Sequence, residues 1–432
     1  MAAGRDGGFG ERGEVLTREH NWADNHTFTA TRIHRPASVA ELCHIVARAP
    51  RVRAIGARHS FNGVADSPGE LIDLGGINPD FVIDREGRTV TLGGGTNYAV
   101  LAAYLQREGR ALHNMASLPH VTAAGATATG THGSGDGLGN LATAVAGLEI
   151  VTATGEMAKV RRGDKNFDGM VVGLGAFGIV TRITLDIQQS YEMRQDAFEG
   201  LAWDRVLADL DAVMAAGYSV SLATMWSGPA VTRLWIKTRL AEGGPRAVSA
   251  AYLGAKPASE PLANRAPDAL RRLNPFGAPG PWSERLPHFR PDEEPALEPH
   301  LQSEYMVPRA RAAEAMTLLR AIGHRIDPHL LTTEIRSMAA DRLWLSPGYG
   351  ADSIGIHFSW KKEPDAVDRM TAEIEELLLP LGARPHWGKI MHAPAQRLAP
   401  LYPKLPAFRD LARSFDPAGK FRNEFLDTHV FG

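Results

Sequence analysis

The sequence predicts an α+β protein built from two regions, and three observations support this prediction. Residues 38–187 mix helical periodicity with short alternating strands, a pattern typical of an α+β region. Residues 303–379 again alternate strands with amphipathic helices. Between the two regions, residues 242–300 are rich in proline, charge and glycine, which indicates a long irregular insertion.

In the first region, caps and turn residues mark the elements. Ser38 and Glu41 have the spacing of a capping box, which predicts a helix over residues 38–50. Gly109 is expected to end a second helix that begins near residue 98. Alternating residues around a turn predict a hairpin, and short runs predict further strands. The strands are expected at residues 52–55, 71–74, 81–84, 89–92, 148–153 and 179–187.

The second region shows the same two periodicities. Apolar residues at helical spacing predict helices at residues 203–216, 309–323 and 366–379. Apolar and alternating runs predict strands at residues 218–226, 231–238, 303–307, 331–338 and 353–360. We therefore expect a second sheet, accompanied by helices, in this part of the chain.

Composition and charge exclude several classes of function. The chain has 432 residues, of which 44% are hydrophobic and 22% charged, as in ordinary globular proteins. Its 47 Lys and Arg nearly balance its 49 Asp and Glu, which argues against nucleic acid or an anionic membrane as a partner. The single cysteine, Cys43, excludes an internal disulfide, and the histidines show no metal-ligand spacing. We expect no metal site.

The N-terminal residues and the apolar stretches bear on location. No stretch approaches the roughly 18 apolar residues of a membrane span. Residues 1–14 lack the apolar core of a secretory signal, so we expect a disordered tail there and a cytoplasmic protein. We also expect a monomer, because no exposed apolar stripe is evident in the sequence.

An unusual tract of small residues covers residues 123–139 and is written AAGATATGTHGSGDGLG. It could be a flexible linker. However, linkers are rich in serine and charge, whereas small side chains with accessible backbone N–H groups can surround phosphates. The tract fits neither a Rossmann fingerprint nor a P-loop. A phosphate or dinucleotide site of another kind is therefore the favoured interpretation.

Polar residues on two predicted strands suggest a ligand site. Glu334 and Arg336 lie two apart and so share a face, which His357 and Ser359 repeat on the next strand. The Glu/Arg pair could be a plain surface ion pair. The flanking apolar residues indicate a buried strand instead, where charges must pair or bind a polar ligand. A carboxylate beside a guanidinium suits a polyhydroxylated molecule.

Two further residues are candidates for chemistry. His59 lies in a loop directly after a short strand, and such a histidine is often only a surface or hydrogen-bonding residue. Lys389 follows His386, Trp387 and Gly388. A lysine is normally solvated, but in a pocket near an arginine it would hold its proton less tightly and could deprotonate a hydroxyl group.

Several strings together resemble one family of flavoproteins across nearly the whole chain. The sequence is similar to flavoprotein oxidases of the vanillyl-alcohol-oxidase (PCMH-type) fold, and most closely to the bacterial alditol (xylitol) oxidases. The strings are GARHSFN at 56–62, NMASLPH at 114–120, ATGTHGSG at 128–135, LGAFG at 174–178, QSEY at 302–305, EIR at 334–336, WLSP at 344–347 and RPHWGK at 384–389.

The resemblance implies FAD as the cofactor. In this family the histidine of the loop that matches residues 56–62 bonds covalently to the flavin, which implies the same role for His59. Ala57 and Arg58 stand where the family has a more glycine- and serine-like pair. The other residues implied to surround FAD are Ala54, Ile55, Gly56, Ala57, Arg58, Ser60, Ser117, Thr122, Gly125, Thr129, Gly130, Thr131, His132 and Val180.

The resemblance also implies a substrate and a reaction. Ser117, Glu334, Arg336, Ser359 and Lys389 match substrate-pocket residues of alditol oxidases, with Ser359 in the place of a threonine. Lys389, Arg336 and Ser117 would be catalytic. The implied reaction oxidises the terminal alcohol of xylitol, sorbitol or a similar polyol to the aldose, with hydride transfer to flavin N5 and reoxidation by O2 to hydrogen peroxide.

The family's organisation implies an FAD-binding domain over residues 15–188 and 389–432. A substrate-binding cap domain would fill residues 189–388, with an antiparallel sheet that faces the flavin. Two alternatives stay open. An aldonolactone oxidase of the same fold would act on sugar lactones, and a non-enzymatic flavin- or sugar-binding protein would hold FAD without being reduced by any polyol.

Overall fold

The fold is known from a computed structural model that describes residues 14–15, 19–77, 80–240, 252–258, 275–292 and 298–432. The tail expected over residues 1–14 lies outside these ranges, except for Glu14, which begins the first strand. Much of the irregular segment at 242–300 lies outside them too. Among the described residues, no helix is both long and apolar enough to cross a lipid bilayer.

The strands are numbered here in chain order. They are β1 (Glu14–Val15), β2 (Arg32–His34), β3 (Val52–Ile55), β4 (Glu70–Asp73), β5 (Val82–Ile83), β6 (Thr89–Gly93), β7 (Arg110–Ala111), β8 (Val145–Val151), β9 (Met157–Arg161), β10 (Ile179–Asp186), β11 (Gln188–Gln189), β12 (Glu192–Glu199), β13 (Ser219–Thr224), β14 (Arg233–Arg239), β15 (Lys256–Pro257), β16 (Gly280–Pro281), β17 (Leu301–Pro308), β18 (Leu330–Met338), β19 (Ser353–Trp360) and β20 (Arg384–Pro385).

The α-helices connect and cover these strands, with short 3₁₀ turns between several of them. They are Val39–Arg48, Tyr98–Arg107, Ala123–Ala128, Phe167–Met170, Trp203–Ala208, Leu210–Met214, Trp282–Arg285, Ala312–Ala321, Gly323–Ile326, Pro364–Leu378, Ala395–Leu398, Leu405–Phe415 and Glu424–Leu426.

In the part of the chain that the structure describes, these strands form three sheets of four or more strands and one small ribbon. The mixed sheet has the order β1-β2-β4-β3, and the antiparallel sheet has the order β5-β6-β10-β8-β9. The large sheet has the order β15-β12-β14-β13-β18-β19-β17-β20, with β16 also on β12. Strands β7 and β11 form the ribbon. The α+β fold class and the antiparallel second sheet are therefore confirmed.

Local signals place the first helix as predicted. Ser38 caps the helix Val39–Arg48, and its side chain accepts a hydrogen bond from the Glu41 backbone N–H at 3.2 Å. The Glu41 carboxylate in turn accepts from the Ala37 N–H at 2.9 Å. The helix buries Leu42 and Val46 against the mixed sheet, so capping and packing agree.

The start of strand β3 in the mixed sheet contacts residues near position 420. The Val52 N–H donates to the Lys420 carbonyl at 3.1 Å. Arg53 is buried and donates to the carbonyl oxygens of Val64 and Leu174, each at 2.6 Å, and to that of Phe421. One guanidinium group thus joins segments that are far apart in sequence.

The large sheet has one apolar face and one polar face. Helices Ala312–Ala321 and Pro364–Leu378 pack on the apolar face, where Trp226, Phe358 and Trp360 lie in ring contact. Alternate residues of the central strands point to the opposite face. That second face is where Glu334 and Arg336 lie, so the core of the sheet positions the candidate site.

Several elements, such as the strand Met157–Arg161 and the helix Leu405–Phe415, were not predicted from the sequence. Three differences have a clear physical reason. The helix expected at 203–216 is broken at Asp209, which has non-helical backbone angles (φ −151°, ψ 67°). Its side chain accepts a hydrogen bond from Ala212 N and so caps the next helix. Strand β12 was not predicted, because its buried residues include the polar Arg194 and Gln195, so apolar and polar residues do not alternate along it. In the small-residue tract, residues 123–128 form a short helix, as alanine favours.

Candidate active site

A cavity of about 1050 Å³ lies between the first region and the polar face of the large sheet. One side, here named the small-residue wall, is formed by residues of the ranges 54–60, 122–131 and 173–178. The other side, the sheet wall, is formed by cavity-facing residues of β17, β18 and β19. The volume exceeds the roughly 300–1,000 Å³ of ordinary small-molecule pockets, so a large cofactor and a substrate could share it.

The structure brings together the residues that the sequence singled out for FAD, with one exception. Those that line the cavity are Ala54, Ile55, Gly56, Ala57, Arg58, His59, Ser60, Ser117, Thr122, Gly125, Thr129, Thr131, His132 and Val180. Gly130 is not among the lining residues. It has φ +67°, and an added Cβ would lie 2.8 Å from Pro347 Cδ, so it serves the turn after the short helix.

Close contact with the Thr122 side chain explains why the small-residue wall has glycine at two positions. A Cβ on Gly56 would lie 2.5 Å from Thr122 Oγ1, and a Cβ on Gly125 would lie 2.7 Å from the same atom. The wall therefore presents backbone and small side chains to whatever the cavity holds.

His59 is half-buried on the same wall. Its ring centroid lies 5.2 Å from that of Trp22. Burial, and then the nearby charge of Lys389, lower the pKa of the imidazole to about 4, so the ring is neutral near pH 7. The preceding Arg58 has φ +60°, a strained conformation for a residue other than glycine. Its guanidinium pairs with Glu19, and its carbonyl accepts from Trp22 N at 2.9 Å.

The sheet wall carries two rows of polar residues that the strand register aligns. Gln302, Ser359 and Thr332 are neighbours across β17, β19 and β18, and Glu304, His357 and Glu334 form the next row. All six line the cavity. The face predicted from the spacing of Glu334, Arg336, His357 and Ser359 is therefore real, and β17 extends it.

Glu334 and Arg336 form a buried ion pair on this wall. The Arg336 Nε donates to Glu334 Oε2 at 3.1 Å, and Nη2 donates to the same oxygen. Burial opposes ionisation of Glu334, but the Arg336 guanidinium outweighs it and holds the pKa of the carboxyl well below its usual value. Burial likewise opposes the charge on Arg336, while Glu334 and Glu304 raise its pKa. Both groups are therefore charged.

Glu304 lies next to the Glu334–Arg336 pair. Its Oε1 lies 3.0 Å from His132 Nε2 and 4.0 Å from Arg336 Nη1. The other ring nitrogen of His132 lies 2.8 Å from the Gly133 carbonyl oxygen, so both nitrogens of His132 face acceptors. Burial opposes ionisation of Glu304, yet the surrounding histidines hold the pKa of its carboxyl well below its usual value.

Lys389 completes the sheet wall. Its Nζ donates to Gln302 Oε1 and lies 4.7 Å from the centroid of the Phe61 ring. Burial lowers the pKa of the ammonium group to about 8, opposed by Glu304 and aided by Arg336. An appreciable fraction of the amine is therefore neutral at mildly alkaline pH, as required of a group that accepts a proton.

The loop of His59 and the segment of Lys389 are held together. The Asn62 side-chain amide donates to the Lys389 carbonyl at 2.7 Å and to the Trp387 carbonyl at 3.0 Å. The Phe61 N–H donates to the Gly388 carbonyl at 2.8 Å. Two motifs that are more than 300 residues apart in sequence thus form one unit.

Ser117 lies at the edge of the cavity, near the segment at 286–289. Its carbonyl oxygen accepts from His288 N at 3.1 Å and from Phe289 N at 3.0 Å. Ser117 and Phe289 both line the cavity. Ser117 therefore lines the cavity, and the contact with flavin and substrate that the family resemblance implies for it stays a prediction.

Sequence reasoning did not single out several residues that line the cavity, among them Gln302, Glu304, His386 and Trp22. A signal for two of them was present. Gln302 and Glu304 lie two apart on one strand, the same spacing that revealed Glu334 and Arg336. His386 and Trp22 gave no such signal, because only the fold brings their loops to the cavity.

The geometry fits a flavin dinucleotide together with a hydroxylated substrate. Family models match the chain in two segments, described as an FAD binding domain at residues 30–161 and as D-arabinono-1,4-lactone oxidase at residues 296–429. Fold, cavity and these matches define an FAD-dependent oxidoreductase. This class excludes the alternative of a non-enzymatic binding protein.

The curated relatives identify the family. The chain is 43% identical over 417 residues to an alditol oxidase from Streptomyces sp., covering 95% of this chain and 99% of that protein. The chain therefore belongs to the alditol oxidase family of vanillyl-alcohol-oxidase-type flavoproteins. It is also 28% identical to L-gulono-1,4-lactone dehydrogenase from Mycobacterium tuberculosis, over 94% of this chain and 97% of that protein.

A solved structure has the same fold. Cholesterol oxidase from B. sterolicum superposes with a TM-score of 0.80 at 15% sequence identity, and all of each chain is covered. At this identity the likeness concerns the fold alone.

Proposed function

We propose that the protein oxidises the terminal primary alcohol of alditols such as xylitol and sorbitol to the corresponding aldose. In this reaction the alcohol loses two hydrogens and O2 gains them, so the products are the aldose and hydrogen peroxide. The observation that supports the proposal most directly is the set of charged side chains on the sheet wall. There Glu334, Arg336 and Lys389 face the cavity, where they can bind successive hydroxyl groups.

The residues of the sheet wall would have different roles in the reaction. Neutral Lys389 accepts the proton of the reacting hydroxyl, because burial lowers the pKa of its ammonium group to about 8. Arg336 stabilises the developing alkoxide with its fixed positive charge. Glu334, held ionised by Arg336, accepts hydrogen bonds from the other hydroxyls, and Ser117 and Ser359 offer smaller polar contacts.

Bound FAD supplies the acceptor for the hydride at its N5 and the means of passing two electrons to O2. The small-residue wall would hold it through backbone groups near Gly56, Gly125 and Thr131. We propose that the link is covalent through His59. The ring lines the cavity and is neutral near pH 7, the state in which an imidazole nitrogen acts as a nucleophile.

Denaturation tests the covalent link. After acid precipitation, yellow flavin should stay with the wild-type chain and be released from a His59→Ala variant. Flavin that leaves the wild-type chain under the same conditions contradicts the link and leaves FAD bound non-covalently.

Anaerobic titration tests the reaction itself. Xylitol added without oxygen should bleach the flavin absorbance, and air should restore it with formation of hydrogen peroxide. A yellow protein that no polyol bleaches contradicts the proposal. Measuring peroxide separately from reduction tests whether O2 is the electron acceptor.

A second candidate function is oxidation of sugar lactones. The family match at residues 296–429 and the L-gulono-1,4-lactone dehydrogenase relative favour it. The same Glu334–Arg336 pair could bind the hydroxyls of a lactone. Comparing the rates of flavin reduction by xylitol and by gulono-1,4-lactone separates the two candidates.

Four further expectations stay predictions. They are the cytoplasmic location, the monomeric state, the absence of a metal and the domain boundaries at 15–188, 189–388 and 389–432. Size-exclusion chromatography with light scattering tests the monomer, elemental analysis tests for metal, and limited proteolysis tests the boundaries.

A further inference from the structure

We propose that Gln302 is a positioning residue that holds the Lys389 amine in place and ties it to His300 at the mouth of the cavity. The proposal rests on the proposed function, in which Lys389 accepts the substrate proton. Gln302 lies on β17, in the same row as Ser359, but its side chain turns towards Lys389.

Three hydrogen bonds in series connect the mouth of the cavity to Lys389. Lys389 Nζ donates to Gln302 Oε1. Gln302 Nε2 lies 2.8 Å from His300 Nε2, and His300 Nδ1 lies 3.0 Å from the Glu298 carbonyl oxygen. Glu298, His300 and Gln302 all line the cavity, so the series runs along its edge.

The chemistry of the two ends fixes the direction of this series. A lysine ammonium can only donate, and a backbone carbonyl can only accept. Gln302 must therefore present its oxygen to Lys389 and its NH2 to His300. His300 Nε2 then accepts, and Nδ1 carries the hydrogen that is donated to Glu298. Each group between the ends uses one donor and one acceptor.

The backbone of Gln302 also forms a hydrogen bond with the segment that contains Lys389. Its carbonyl oxygen accepts from the Ile390 N–H at 3.0 Å, one residue beyond Lys389. The Phe61 ring attracts the ammonium group from 4.7 Å, but a ring face imposes little direction on a cation. The amide of Gln302 supplies that direction, which matters because a lysine side chain has four rotatable bonds.

Two substitutions of Gln302 separate positioning from general structure. Gln302→Met removes the acceptor at similar size, so the limiting rate of flavin reduction should fall about tenfold to a hundredfold. Because the Lys389 ammonium group then lacks its acceptor, its pKa should fall. The pH range over which the rate rises should therefore move to lower pH. Gln302→Glu adds a negative charge beside the amine, so the same rise should move up by about one pH unit.

Two controls accompany these variants. Gln189→Met changes an exposed glutamine of β11 and should leave both the rate and the pH profile unchanged. His300→Phe keeps the Gln302 oxygen on Lys389 but removes the partner of its NH2, so it should give a smaller loss than Gln302→Met.

A measurement that needs no turnover keeps the proposal separate from the proposed function. In holoenzyme labelled with [13Cε]lysine, the Lys389 signal, assigned by its loss in Lys389→Arg, titrates with the pKa of the amine. We expect this pKa to fall in Gln302→Met and to rise in Gln302→Glu. An unchanged pKa in both variants overturns the proposal, whereas a flavin that no polyol or lactone reduces overturns only the proposed function.

Discussion

The pH dependence of flavin reduction should follow the titration of Lys389. Burial lowers the pKa of its ammonium group to about 8. If the neutral amine takes the substrate proton, about one molecule in eleven is ready at pH 7 and about ten in eleven at pH 9. The limiting rate of reduction should therefore rise roughly tenfold between these values. The rate rises with pH because deprotonation creates the active form.

The assay is anaerobic stopped-flow reduction with saturating xylitol, so that the rate reports on chemistry rather than binding. Lys389→Arg replaces the amine by a cation that stays protonated over this range. Its rate should be about 10²–10⁴-fold lower, and it should no longer rise with pH. A flat profile in the wild type, or a rise that persists in Lys389→Arg, would refute the reasoning.

Lys237 provides a matched control. Burial also lowers the pKa of its ammonium group, to about 7. Its Nζ donates to the carbonyl oxygens of Leu286 and Pro287 at 2.6 Å and 3.1 Å, so it holds a loop rather than facing the substrate. In Lys237→Met the rate of flavin reduction should still rise over the same pH range, even if the substitution lowers the stability of the protein.

Three further substitutions have defined outcomes. Arg336→Met leaves the Glu334 carboxylate buried without its partner, which should cost about 3–5 kcal/mol at pH 7 in thermal denaturation of the holoenzyme. The difference in stability between the wild type and Arg336→Met should shrink below pH ~4. As the pH falls there, the wild type loses the stability that ionised Glu334 contributes. Glu334→Gln should raise KM for xylitol about tenfold to a hundredfold, as for the loss of a charged acceptor, with an unchanged flavin spectrum. Asn62→Ala should slow flavin reduction about tenfold, because it frees the backbone of Lys389, while circular dichroism stays constant.

Local signals in the sequence were enough to predict much of the fold. The Ser38 cap, the hairpin of β5 and β6 and the strands β18 and β19 depend on neighbours in sequence. The same holds for the shared face of Glu334 and Arg336, since side chains alternate along any strand. The resemblance to a flavoprotein family added the cofactor and the proposed role of His59, which spacing alone did not indicate.

Other parts of the site depend on contacts that no local pattern encodes. Glu304 pairs with His132, 172 positions away, and Asn62 holds the Lys389 backbone from 327 positions away. Strand β12 hides its periodicity because Arg194 is buried. These features follow from how the sheets pack against each other, so a single sequence offered no way to derive them.

The buried Arg53 has a consequence for how the protein is made. Its guanidinium group reaches the carbonyl oxygens of Val64 and Leu174, but it also needs that of Phe421, 368 positions further along. The ribosome adds Phe421 long after β3 has left the exit tunnel. Until then the charge lacks one of its acceptors, and burying it would be costly. The mixed sheet can therefore reach its final form only after the segment around Phe421 has been synthesised and has folded against β3.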